Sequence, residues 1–176
     1  EASPALRREQ RARLAPYQIS HTDSIDALPD QPLFLLANEF FDALPIRQFQ
    51  FDGTHWRERL VGLQGGQLSF GLSDPLPLPF TAPAFQTIGQ RIATQGGAAL
   101  IVDYGGWRSA GDTFQAMRAH GFADPLAEPG QADLTAHVDF EALAAHAALP
   151  HALSEQGPFL SRLGIEARAA RLARSL

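Results

Sequence analysis

Two continuous apolar runs constrain this chain more than any other feature. Leu33-Phe34-Leu35-Leu36-Ala37 and Ala98-Ala99-Leu100-Ile101-Val102 are each strand-sized, and neither alternates with polar residues. A strand with one wet face alternates. An unbroken run fits a strand covered on both faces, as in a parallel sheet. Leu28-Pro29-Asp30 marks a turn before the first run, and Gly96-Gly97 precedes the second. The pattern predicts that Leu33 to Ala37 and Ala98 to Asp103 are neighbouring parallel strands, both largely buried, in an α/β sheet.

The remaining elements follow from caps and periodicity. Ser3-Pro4 opens a helix that runs to Leu14 and stops before Pro16. Tyr17 to Ser20 reads as a short third strand. From Ile46 to Leu72 apolar and polar residues alternate, with Asp52-Gly53 and Gly65-Gly66 as hairpin signals, which predicts an antiparallel meander. Pro75, Pro77, Pro79 and Pro83 form a connection with little regular structure, so the insertion extends over about 46–83. Phe85, Ile88 and Ile92 lie at helical spacing before the stop at Gly96-Gly97. Thr113 to His120 reads as helical or looped. Asp139 can cap a helix from Phe140 to Ala147, and Ser161 to Leu176 reads as a final helix weakened at Gly164. No internal repeat or second domain is visible.

Composition removes several functions. A chain of 176 residues, 45% hydrophobic and 19% charged, has the make-up of one globular domain. Its apolar runs fall well short of the roughly 20 residues of a spanning helix, which argues against membrane insertion. The net charge is −5, and all 14 basic residues are Arg, so a nucleic-acid surface is not expected. Without Cys there are no disulfides, thiolate metal sites or thiol nucleophiles. His21-x-Asp23 and His137-x-Asp139 lack a third placed ligand, so no metal is expected. No G-x-S-x-G elbow supports a hydrolase triad. Arg168, Arg171 and Arg174 read as a solvated helix face.

The chemistry concentrates in Ala37-Asn38-Glu39-Phe40-Phe41-Asp42-Ala43-Leu44-Pro45, which begins where a strand ends. Ligands of open α/β sheets bind beyond the carboxyl ends of strands, and an amide, two carboxylates and two aromatics there can form a site. A polar strand end with Phe40 and Phe41 in the core is the structural alternative. This segment resembles the signature of the MidA-like methyltransferases, relatives of the arginine methyltransferase that assists assembly of mitochondrial respiratory complex I. Further segments agree in order: Glu1 to Gln10, Gly97 to Gly105, Asp112-Thr113-Phe114, Asp124-Pro125-Leu126, Pro129-Gly130, Asp133 to Phe140, Gln156 to Leu160, and Leu163-Gly164-Ile165.

The resemblance implies a Rossmann-like class I methyltransferase sheet with S-adenosylmethionine as cofactor. It implies Glu1 as the acceptor for the ribose hydroxyls and Asp23 as a contact to the adenine amino group. Asn38 lies beside the expected methyl position. Glu39 is the first choice to hold a substrate guanidinium by paired hydrogen bonds, and Asp42 the second. Phe40, Phe41 and Tyr104 could wall the transfer site. The family carries a Gly-rich loop after its first strand, and no G-x-G occurs in this chain. The alignment therefore expects a partial methyltransferase domain over 1–176, with its sheet incomplete at the N-terminus and an incomplete cofactor pocket. The implied substrate is a protein, such as a complex I subunit. The implied location is cytoplasmic, or the mitochondrial matrix if the chain is eukaryotic. A non-enzymatic assembly domain on the same fold is the main alternative. A nicotinamide-dependent dehydrogenase is a weaker one, because its G-x-G-x-x-G loop is absent too.

Overall fold

The computed structural model describes residue 1, residues 3–77 and residues 86–174. The expected positions of Pro79, Pro83, Phe85 and the last two residues of the final helix lie outside the described residues.

Helix α1 (Pro4–Arg13) comes first, and the Ser3 hydroxyl accepts from the Leu6 amide at 3.3 Å as its cap. A short 3-10 turn (Ile25–Ala27) leads to strand β1 (Leu33–Asn38). The meander follows as β2 (Gln48–Phe51), β3 (Trp56–Gln64) and β4 (Gln67–Leu72). Helix α2 (Gln86–Gln95) precedes β5 (Gly97–Val102). Short strands β6 (Gly105–Gly106), β7 (Gln115–Arg118), β8 (Gly121–Ala123), β9 (Asp133–Thr135) and β10 (Val138–Asp139) follow. Helices α3 (Phe140–Ala147), α4 (Gln156–Arg162) and α5 (Ile165–Ala173) end the chain.

Strands β1 and β5 pair in parallel, with Leu33 opposite Gly97 and Asn38 opposite Val102. The register places Ala37 and Ile101 side by side, and both meet the core formed with Phe41 and Val138. Ile88 of α2 and Phe140 and Leu143 of α3 close that core. The two helices touch where Gly89, buried in α2, leaves no room for a side chain: a Cβ there would lie 2.3 Å from the Ala147 carbonyl oxygen. Gly97 has φ +123°, and its missing Cβ would lie 1.9 Å from the Leu33 carbonyl oxygen, so only glycine starts β5 this close to β1.

The parallel pairing agrees with the sequence, but the expectation that both strands are largely buried does not, and in β5 Gly97 to Leu100 are exposed. Phe34 is 81% exposed and Leu36 72% exposed. They alternate with Leu33, Leu35 and Ala37, which are at least half covered. The continuous apolar run is thus covered on one face and open on the other among the described residues.

Three further expectations are corrected. Tyr17 to Ser20 forms no strand; Tyr17 and Ile19 are exposed and the stretch enters no ladder. Thr113 to His120 contains a strand rather than a helix. There β7 sits between β8 and β9, and Ala116 is buried. The final helix is two helices, broken at Gly164 with φ +83°. The meander is as expected, ordered β2-β3-β4 and antiparallel throughout. Its second turn, Gly65-Gly66, takes positive φ at both positions, as a two-residue hairpin requires.

Candidate functional site

The carboxyl ends of β1 and β5 lie side by side, and the signature segment emerges there. The Glu39 amide still donates to the Val102 carbonyl at 2.8 Å, prolonging the ladder by one bond. Glu39 then takes φ +46°, a left-handed conformation uncommon for a residue with a side chain, and the chain turns away. The next three amides all point at Asp103. Phe40, Phe41 and Asp42 donate to its Oδ2 at 3.2, 2.9 and 3.4 Å. Its Oδ1 accepts from the Tyr104 amide at 2.8 Å.

The side chains divide by burial. Phe41 is in the core, while Phe40 is half exposed and stands edge-on to it, with ring centroids 5.2 Å apart. Tyr104 is exposed, and its hydroxyl lies near the Glu39 carboxylate. The nearby Glu39 charge is the chief cause that pushes the Tyr104 hydroxyl above its ordinary pKa. Asp42 is only 6% exposed, and its Oδ1 has no hydrogen-bond partner among the described residues. Burial raises the Asp42 pKa, and the neighbouring Asp103 charge raises it further. Among the described residues two other buried polar atoms lack partners, Arg91 Nε and Gln95 Oε1. Both side chains are bonded through another atom: Arg91 Nη2 donates to the Leu28 carbonyl, and Gln95 Nε2 donates to Asp30.

Beside Phe41 a cleft of about 1350 Å³ opens toward the meander, lined among others by Phe49, Trp56, Arg59, Phe70 and His137. A smaller hollow of about 220 Å³ is lined by Asp42, Leu44, Phe114 and Leu134. Arg59 anchors the wall of the cleft. Its guanidinium lies 3.6 Å from the Phe70 ring centroid and 2.6 Å from Asp112. Asp112 is also bonded by Gln48, and these hydrogen bonds hold its pKa below the ordinary value.

The other two expected residues gather at α1. Arg7 donates to Asp23 and to the Glu1 carbonyl, and Glu1 Oε1 accepts from the Ser3 amide at 2.8 Å. The Asp23 carboxylate is 83% exposed. The His-x-Asp pairs have structural partners: His21 bonds Gln10, and Asp139 caps α3 through the Ala142 amide. No group of three or more potential metal ligands occurs among the described residues. No helix there is long and apolar enough to cross a membrane. The residue that sequence reasoning passed over is Asp103. Its signal was available: it is the first polar side chain after the second apolar run.

Comparison with known proteins gives these elements a family. A family model described as "Putative S-adenosyl-L-methionine-dependent methyltransferase" matches residues 1–83 and 78–158. The chain belongs to this methyltransferase family. Protein arginine methyltransferase NDUFAF7 of Xenopus laevis is 36% identical over 170 residues, covering 82% of this chain and 38% of that protein. The NDUFAF7 homolog of Drosophila melanogaster is 37% identical over 179 residues, covering 84% and 41%. The Danio rerio protein is 37% identical over 169 residues, covering 82% and 40%. All three relatives carry mitochondrial in their names. The chain spans about two fifths of the length of the curated relatives it matches. A superfamily member from Burkholderia thailandensis, solved bound to S-adenosyl-homocysteine, aligns with a TM-score of 0.60 at 24% identity, over 84% of this chain and 46% of that one. That likeness shows a shared fold; in this chain the meander β2-β3-β4 stands between the parallel strands β1 and β5 in sequence.

Proposed function

We propose that the protein transfers a methyl group from S-adenosylmethionine to an arginine side chain of a protein substrate. The observation that carries this reading is the crowding of carboxylates at the β1 and β5 ends. Glu39, Asp42 and Asp103 meet there, and one buried oxygen of Asp42 is unpartnered. A guanidinium supplies the positive charge and the paired donors that such a group lacks. The relatives named above are arginine methyltransferases, which supports the same substrate class.

Bound S-adenosylmethionine supplies an electrophilic methyl on a sulfonium. The exposed Asp23 carboxylate and Glu1 are acceptors that suit an amino group and ribose hydroxyls. Asn38, at the end of β1, suits a polar contact beside the methyl. Glu39 orients the guanidinium and Asp42 adds negative charge behind it. Phe40, Phe41 and Tyr104 limit water around the acceptor nitrogen. Methyl displacement gains most from in-line placement, so fixed side chains count for more than any covalent intermediate. Residues 1–176 form part of a methyltransferase domain, with an insertion at about 46–83. A respiratory complex I subunit is the substrate that the family resemblance favours. A mitochondrial location suits a eukaryotic source and a cytoplasmic one a bacterium.

Labelled cofactor, the native-length protein and arginine-bearing protein substrates test the reading. Label recovered on methylarginine is the expected result. Tight cofactor binding without any transfer to protein would instead favour other acceptors. Loss of both would favour a non-enzymatic assembly domain, a reading to which the open face at Phe34 and Leu36 gives some weight.

A further inference from the structure

We infer that Asp103 is a positioning residue for this site, the clamp that gives the signature segment its shape. The inference rests on the methyl-transfer reading only for its kinetic consequence; the clamp itself is a matter of geometry.

A strand that leaves its ladder exposes amides that must find other acceptors. Here Phe40, Phe41 and Asp42 find one oxygen, Asp103 Oδ2. Consecutive amides converge on a point when the backbone curls into a concave nest or a tight turn. Glu39, at φ +46°, stands just before these amides and turns the chain out of the ladder. Such nests ordinarily receive an anion from a ligand. This one receives the protein's own carboxylate, which arrives from the next strand, about sixty residues later in the chain.

Three consequences follow. The nest is filled from within, so the signature segment does not present these amides to a phosphate or carboxylate of a substrate. The negative charge of Asp103 adds to those of Glu39 and Asp42, so the strand ends favour a cationic group. Finally, Oδ1 of the same carboxylate takes the Tyr104 amide at 2.8 Å. The segments that carry Glu39 and Tyr104 are therefore fixed through one group. Asp103 need not touch a substrate to govern where both of them stand.

Through-hydrogen-bond scalar coupling between the Phe41 amide nitrogen and the Asp103 carboxyl carbon tests the clamp in the unaltered full chain. The coupling is expected, and its absence overturns the proposal. Asp103→Asn keeps the shape but turns one acceptor into a donor. Amide exchange at Phe40 and Phe41 should then accelerate by about tenfold or more, while the ladder amides of β1 and β5 keep their protection. Unchanged exchange at Phe40 and Phe41 overturns the clamp. Should this variant fail to fold, the coupling in the unaltered chain still decides.

In the native-length protein, Asp103→Asn should lower kcat by roughly a hundredfold, as misplacement by about 1 Å does, while KM for the cofactor stays within about twofold. Faster exchange with an unchanged kcat overturns the positioning role. If the unaltered protein transfers no methyl group, the functional reading fails, and the coupling together with the exchange result then upholds the clamp alone.

Discussion

The meander and the strand ends treat their carboxylates in opposite ways. At the meander the acids are matched, two of them within it and Asp112 from the loop after β6. Arg47 grips Glu58 with two bonds of 2.7 Å, Arg57 pairs with Asp52, and Arg59 pairs with Asp112. The pKa of each of these acids is lowered, chiefly by the hydrogen bond from Arg47 on Glu58, from Arg57 on Asp52 and from Gln48 on Asp112. At the ends of β1 and β5 the acids crowd one another, and the pKa values of Asp42 and Tyr104 rise. Paired charge fixes a shape. Crowded like charge leaves a region that a cation can stabilise, and perturbed groups of this sort gather at functional sites.

The sharpest way to break this contrast is Glu39→Gln. It keeps shape and removes charge. Methyl transfer should fall at least about a hundredfold, equivalent to roughly 2.7 kcal/mol. Cofactor affinity, measured by calorimetric titration, should change little. Near-normal transfer would remove Glu39 from the mechanism and promote Asp42.

A packing change should act on stability alone. Gly89→Ala forces a Cβ against the Ala147 backbone where α2 meets α3. Denaturant unfolding should show a loss of about 2 kcal/mol, with kcat in the folded fraction nearly unchanged. A stability equal to that of the unaltered chain would mean that the two helices can part at no cost.

Asp42→Asn should do the reverse and stabilise the fold. The folded pKa of Asp42 is raised, so the native state binds its proton more tightly than the unfolded state. Its contribution is favourable at low pH and is lost as pH rises through the folded value. At neutral pH the substitution should gain about 1 kcal/mol, and the gain should shrink as the solution is acidified. A loss at neutral pH would show that the carboxylate has a partner in solution.

Glu58→Gln is the smallest effect and carries the opposite slope. The folded pKa of Glu58 is lowered, so its contribution is present above the unfolded value and fades as pH falls through the folded one. It is an exposed pair, so the unfolding midpoint should move very little. What sharpens the comparison is the sign: differences from the unaltered chain should grow with rising pH for both variants, as a gain for Asp42→Asn and as a slight loss for Glu58→Gln.

Much of this was legible in the sequence, and the gaps have physical causes. The two apolar runs gave the parallel pair, because an unbroken apolar run is the pattern of a strand able to be covered on both faces. They could not say that Phe34 and Leu36 would face outward, since a run records what a strand can bury rather than what covers it. Asp139 and Ser3 were readable as caps because capping is local. The β7–β8 hairpin was hidden. Its turn is Ala119-His120, both at positive φ, where Asn or Gly would have announced it. Asn38 to Asp42 stood out as a cluster, whereas Asp103 showed only as the polar residue after its apolar run, since the three amides it serves lie some sixty positions earlier and leave no mark in a sequence.

The open side of β1 has a practical meaning for anyone who handles this chain alone. Beside its single parallel neighbour, β1 offers a free row of main-chain donors and acceptors among the described residues, flanked by the side chains of Phe34 and Leu36. Two such molecules that meet can each complete the other's hydrogen bonding while drying an aromatic surface. The time for which a sample stays clear should therefore depend on its concentration more steeply than its net charge of −5 suggests. Dilution, or a Lys placed at Leu36, should keep it in solution longer than added salt, which screens the repulsion between copies and leaves that surface untouched.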